Sequence, residues 1–175
     1  MNKLFIYTMI LVAGVFLSSC EKEDILDTAT VNMAGDWYVT ADAVDADGEI
    51  VYKDEDLFGI GSFHLDTYNS ASNESTNMWI DDNGNFWDFK AKMDINYSEK
   101  TFDVADFSNV SYEGCLVNIS EGKILYDAAT TTPSGAVADS IVFYISFSDD
   151  DYPAAYGYSK YRIAGYRYTG LAADE

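Results

Sequence analysis

Short runs rich in Val, Ile, Tyr, Phe and Trp alternate with clusters of Gly, Asn, Asp and Ser from Asp36 onward, and no stretch between them has helical periodicity. The runs are Asp36–Val44, Glu49–Tyr52, Gly59–Tyr68, Thr76–Ile80, Phe86–Met93, Thr101–Val104, Cys115–Ile119, Lys123–Tyr126, Asp139–Ser148 and Lys160–Thr169. Such spacing predicts about eight to ten strands, and strands this short become stable only by sharing one core. The expected architecture is all-β, an antiparallel up-and-down barrel of about eight strands, with a β-sandwich as the alternative.

One hairpin can be assigned a register. Asp81-Asp82-Asn83-Gly84-Asn85 separates two apolar runs, and Asn-Gly is the dipeptide that accepts positive φ at both centres of a type I′ turn. A two-residue turn there pairs Ile80 with Trp87 and Met78 with Phe89, leaving Trp79, Asp81, Asp88 and Lys90 on the opposite face. The same alternation groups Phe63 with Leu65 and Thr67, and Ile141 with Phe143, Ile145 and Phe147.

Upstream of the strands, Met1-Asn2-Lys3 begins a basic start, Leu4 to Leu17 is almost wholly apolar, and Leu17-Ser18-Ser19-Cys20 ends the run. The run is short for a membrane span and suits a signal segment cut before Cys20, whose thiol is then the site of lipidation. Two or three acyl chains hold a protein stably where one is marginal. Glu21-Lys22-Glu23-Asp24 is similar to the acidic export signal of surface-exposed lipoproteins. These features predict a signal peptide at 1–19, a lipidated tether at 20–33 and one barrel domain at 34–175, displayed on the outer membrane and exposed at the cell surface.

All 30 Asp and Glu follow Cys20, against nine of the ten Lys and Arg. A field this negative repels phosphate backbones and anionic headgroups, which argues against nucleic acid as a partner and limits membrane contact to the lipid anchor. With Cys20 acylated, Cys115 has no partner for a disulfide and reads as a small buried hydrophobe. There is no Gly-x-Ser-x-Gly elbow and no His-Glu-x-x-His pair. The single histidine, His64, alternates with Phe63 and Leu65 and should face outward. No catalytic residue, metal site or cofactor is therefore assigned. The acidic stretches Asp45–Glu49, Asp81–Asn85 and Asp149–Asp151 are turn chemistry before they are calcium ligands.

Gly35-Asp36-Trp37 resembles the Gly-x-Trp motif of lipocalins and other calycins, in which the tryptophan plugs the closed end of a barrel beneath an arginine from the last strand. Arg167 is suitably placed for that role, which makes Trp37 and Arg167 the expected barrel-closing pair. A longer set of blocks is similar to the Bacteroidetes lipoprotein family named "lipid-binding putative hydrolase": Gly35-Asp36-Trp37-Tyr38-Val39-Thr40, Asn77-Met78-Trp79-Ile80-Asp81-Asp82, Phe86-Trp87-Asp88-Phe89-Lys90, Asp139-Ser140-Ile141 and Gly165-Tyr166-Arg167-Tyr168-Thr169-Gly170. The resemblance implies a calycin-like fold and a lipid-like ligand. That family often carries histidine where this chain has Tyr166, which speaks against catalysis at the last strand.

The resulting expectation is a surface-anchored protein whose barrel binds a small hydrophobic or lipid-like ligand. Phe63, Leu65, Met78, Ile80, Trp87, Phe89, Ile141, Phe143 and Ile145 are the candidate lining. The alternative is an envelope interaction subunit that meets a protein or glycan through exposed Tyr152, Tyr156, Tyr158 and Tyr161; a lipid or ester hydrolase ranks third.

Overall fold

Alternating burial along each apolar run is what bends this sheet around one interior. The structure, a computed structural model, describes residues 27–52, 56, 59–131 and 134–174; the signal segment, Cys20 and Lys22-Glu23-Asp24 lie outside them. Eight strands follow one another as β1 (Gly35–Val44), β2 (Phe63–Asn69), β3 (Asn77–Asp81), β4 (Lys90–Asn96), β5 (Thr101–Ser108), β6 (Leu116–Thr130), β7 (Val137–Phe147) and β8 (Lys160–Arg167). Each pairs antiparallel with the next, and β8 pairs back onto β1 from Trp37↔Arg167 to Val44↔Lys160, so the barrel is closed and has no free edge. The up-and-down barrel thus prevails over the sandwich.

Ten sequence runs become eight strands for two local reasons. Glu49–Tyr52 supplies only a single bridge, Val44↔Ile50, because the Asp45 carboxylate accepts the N–H groups of Asp47 and Glu49 and curls the chain there. Cys115–Ile119 and Lys123–Tyr126 belong to one strand, β6, whose register shifts between Ser120 and Lys123 where Glu121 has φ 55°. A short helix, α1 (Tyr152–Tyr156), appears where the sequence suggested none, started by Pro153 and ended by Gly157 at φ 79°. The folded body also begins earlier than expected: Thr30 and Met33, read as tether, are fully buried.

The β3–β4 register corrects the sequence expectation. Asn83 and Gly84 do have positive φ, 52° and 73°, and Asn85 N–H reaches Asp82 O at 2.9 Å, so the tight turn forms. The ladder does not resume after it. Ile80 faces Ala91 and Met78 faces Met93, four residues beyond Trp87 and Phe89. The cause is the fully buried Asp82, whose carboxylate accepts N–H bonds from Gly84, Phe86, Trp87 and Phe89 and wraps residues 83–88 around itself. A four-residue shift is even, so the face of every side chain is preserved: Met78, Ile80 and Phe89 still point inward. Trp87 and Asp88 belong to the loop instead.

The barrel therefore has two distinct ends. One, the mouth, gathers the β1–β2, β3–β4, β5–β6 and β7–β8 connections. The other, the floor, gathers the remaining three together with the chain before β1 and after β8.

Candidate functional site

The floor is built from Gly35-Asp36-Trp37. Trp37 is fully buried, and its indole N–H donates to Thr67 Oγ1 at 2.8 Å, whose hydroxyl in turn donates to Met33 O at 2.7 Å. The Arg167 guanidinium lies 4.5 Å from the Trp37 ring centroid, donates to Ala34 O and pairs with Asp139 at 3.2 Å. This stacking explains the glycine: a Cβ at Gly35 would stand 2.1 Å from Arg167 Nη1.

Between the ends, the interior is filled. Leu65, Met78, Ile80, Phe89, Ile141, Phe143 and Ile145 are at most 1% exposed and Phe63 is 6% exposed, and all join one apolar cluster that includes Trp37, Met93 and Ile163. Of the nine candidate lining residues, only Trp87 is half-buried and outside this closed interior.

At the mouth, Phe86 and Trp87 sit over that core as a plug. Trp87 stacks on Phe147 with ring centroids 5.1 Å apart at 8°, while Phe86 stacks on Phe63 at 5.6 Å and meets Tyr161 edge-on at 5.1 Å. Such aromatic pairs contribute about 0.5–1.5 kcal/mol each beyond the area they bury. The main-chain turn that carries the plug is organised by the buried carboxylate of Asp82. Burial pushes its carboxyl above the usual range, against the four N–H bonds that favour the charged form.

Beside the plug, Trp87, Asp149, Asp150, Asp151 and Tyr152 line an open cleft of about 350 Å³. Asp149 anchors its wall. Burial alone would raise that carboxyl, but hydrogen bonds from Cys115, Tyr112 and Trp87 outweigh it and hold it below the usual range. Asp150 accepts the Tyr161 hydroxyl at 2.7 Å, and Tyr161 and Tyr158 share a further hydroxyl contact at 2.7 Å. Burial pushes both tyrosines, and the Cys115 thiol, upward, so Cys115 is a poor thiolate nucleophile at neutral pH.

These positions correct part of the interaction-surface expectation. Tyr152 and Tyr156 are exposed, but Tyr161 is buried because β8 turns it inward opposite Ile145, and Tyr158 is buried against it with ring centroids 5.4 Å apart. Phe86, Phe147, Asp82 and Asp149 were absent from the candidate set although they build the mouth. Phe86-Trp87 beside an Asn-Gly turn was the available signal, masked by assigning both residues to a strand.

His64 faces outward on β2. Its Nδ1 lies 2.8 Å from Asp36 Oδ1, and its ring lies 5.3 Å from Tyr38 and 4.9 Å from Tyr168. The acidic stretches are likewise occupied as turns: Asp45 and Asp82 accept backbone N–H groups, and Asp81 accepts from Asn83 and pairs with Lys90 at 2.9 Å. Among the described residues, no group of three or more His, Cys, Asp or Glu side chains converges as metal ligands would.

Comparison with known proteins adds one positive finding. No curated protein matches the chain. A family described as "lipid-binding putative hydrolase" matches residues 22–172, which cover the whole barrel and every block that forms its floor and mouth. The chain belongs to that lipid-binding family, with a closed eight-stranded barrel as its fold.

Proposed function

We propose that this protein is a lipoprotein, anchored through Cys20 at the outer membrane and displayed on the cell surface, whose barrel takes up a small hydrophobic or lipid-like ligand through the mouth. The observation that carries the reading is the Phe86–Trp87 plug. It closes an apolar interior with side chains of one loop, and that loop is held chiefly by the Asp82 carboxylate, with side-chain bonds from Asn83 to Asp66 and from Asn85 to His64 O, rather than by a strand ladder. A ligand then enters by displacing the plug and packing against Phe63, Phe89 and Phe147 beneath it. Family membership supports the ligand class.

Two measurements on protein from its native host test the proposal. Solvent extraction followed by mass spectrometry is expected to release a stoichiometric apolar compound, and the intact mass is expected to carry acyl chains at Cys20. Cys20→Ser should lose those chains and pass into the soluble fraction. Retention of the Cys20→Ser variant in the outer membrane overturns the anchor, and an empty extract from folded protein overturns the ligand.

A further inference from the structure

The two ends of the barrel differ in charge and in how the chain leaves them. In the described residues, the mouth connections hold ten carboxylates and no Lys, Arg or His. The floor connections and flanking chain hold four carboxylates and one base, Lys100. The chain reaches Cys20 from the floor, since Asp27 to Ala34 packs there: Met33 is buried over Trp37, and Ala29 N–H donates to Asn73 in the β2–β3 connection. Seven residue steps from Asp27 to Cys20 span at most about 25 Å.

An apolar surface lies around that exit. Val137 is 64% exposed, Tyr126 49% and Leu171 47%. Val137, Tyr168 and Leu171 line one groove of about 430 Å³, whose polar members are Thr169, the paired Asp139 and Arg167, and Asp127, which follows Tyr126 on β6. The Tyr126 hydroxyl in turn reaches Asn32 O at 3.4 Å, beside exposed Val31. Exposed apolar side chains thus recur from the chain's exit to the described end of β7. Exposed apolar side chains also occur at the mouth, notably Tyr152, Tyr156 and Val110, but they stand among the ten carboxylates.

From this asymmetry we infer that the floor is a bilayer-docking surface, with Val31, Tyr126, Val137 and Leu171 seated in the headgroup region and the mouth directed away from the membrane. Three physical effects favour that orientation. The tether holds the floor within about 25 Å of the lipid, well inside the range where weak apolar contacts form repeatedly. Tyr and branched aliphatic side chains partition favourably into the interfacial zone. An anionic surface repels the mouth far more than the floor. The overall charge of −20 opposes general membrane adsorption, and its uneven placement confines contact to one end.

The inference rests on the proposed anchor at Cys20, so the test supplies that anchor chemically. The chain beginning at Cys20 is coupled through that thiol to a maleimide phospholipid in phosphatidylcholine vesicles containing phosphatidylglycerol, or to a soluble maleimide cap. Hydroxyl-radical footprinting then reads both samples. Tyr126, Val137 and Leu171 are expected to be modified several-fold less on vesicles than on the capped protein, with Tyr152 and Tyr156 unchanged. Val137→Asp combined with Leu171→Asp, both at exposed positions, should abolish the protection without altering the circular dichroism spectrum. Equal labelling on vesicles and cap, or protection of Tyr152 and Tyr156 instead, overturns the inference. So does protection of the floor already present in the capped protein, which would mark contact between copies of the chain. Absence of acyl chains on native protein would refute the anchor alone.

Discussion

Arg167 performs three tasks with one guanidinium: it covers the Trp37 ring at 4.5 Å, donates to Ala34 O and pairs with Asp139 at 3.2 Å. The partners lie on β1, just before it and on β7, so the side chain bridges the seam where the barrel closes. Lysine could supply the charge but not the planar fork that serves all three. A double-mutant cycle with Trp37→Phe and Arg167→Met is expected to give a coupling of about 0.5–2 kcal/mol in chemical denaturation. Additive effects would mean that stack and seam are independent. The pair was legible because Gly-x-Trp and a C-terminal arginine form a motif with a spatial meaning. Thr67, which satisfies the buried indole N–H, looked in sequence like any inward-facing strand residue.

At the scale of elements, the C-terminal segment is secured by one carboxylate. Asp174 accepts the hydroxyls of Thr131 at 3.0 Å, Ser134 at 2.7 Å and Thr169 at 2.8 Å, and Ser134 N–H at 2.9 Å, clasping the tail to the β6–β7 connection. Burial opposes ionisation, but the Ser134, Thr169 and Thr131 bonds outweigh it and hold the carboxyl at about 2. Its folded value lies below the unfolded one, so the clasp contributes fully above the ordinary carboxylate range and is lost as pH falls through about 2. Asp174→Asn should therefore raise hydrogen exchange in the tail and the β6–β7 connection at neutral pH, with the barrel's melting temperature nearly unchanged. A variant with wild-type exchange would show that the hydroxyl network holds without the charge. Elements of this kind explain where sequence reading stopped. Strand faces follow a period of two and were legible in β2, β3 and β7, whereas on β8 Tyr161 faces inward against expectation. Connections organised around one buried carboxylate, such as Asp174 on the tail or Asp82 on residues 83–88, carry no period at all, and Asp82 moved the β3–β4 pairing by four residues without disturbing either face.

For the whole molecule, the decisive question is whether the filled interior can open. Phe89 lies in the closed core at 0% exposure, whereas Trp87, two residues earlier, is half-buried and packs on Phe147 at the mouth. The two positions therefore separate packing from access. Phe89→Ala should lose about 3–5 kcal/mol of stability, because a packed phenylalanine leaves a cavity when truncated. Trp87→Ala should cost much less and should change entry. If the plug is the gate, an apolar fluorescent probe binds wild-type protein saturably, quenches part of its tryptophan emission and raises its melting temperature by mass action. In Trp87→Ala the same probe associates faster, since the gate no longer has to be displaced, and the Trp87 share of the quenching is missing. Stopped-flow association and thermal melts read both effects on one sample. A barrel whose core never opens predicts a different pair of results: no saturable binding by wild type or by Trp87→Ala, together with a strongly destabilised Phe89→Ala. That outcome would leave the interior as structural packing and place any lipid contact on the outer surface.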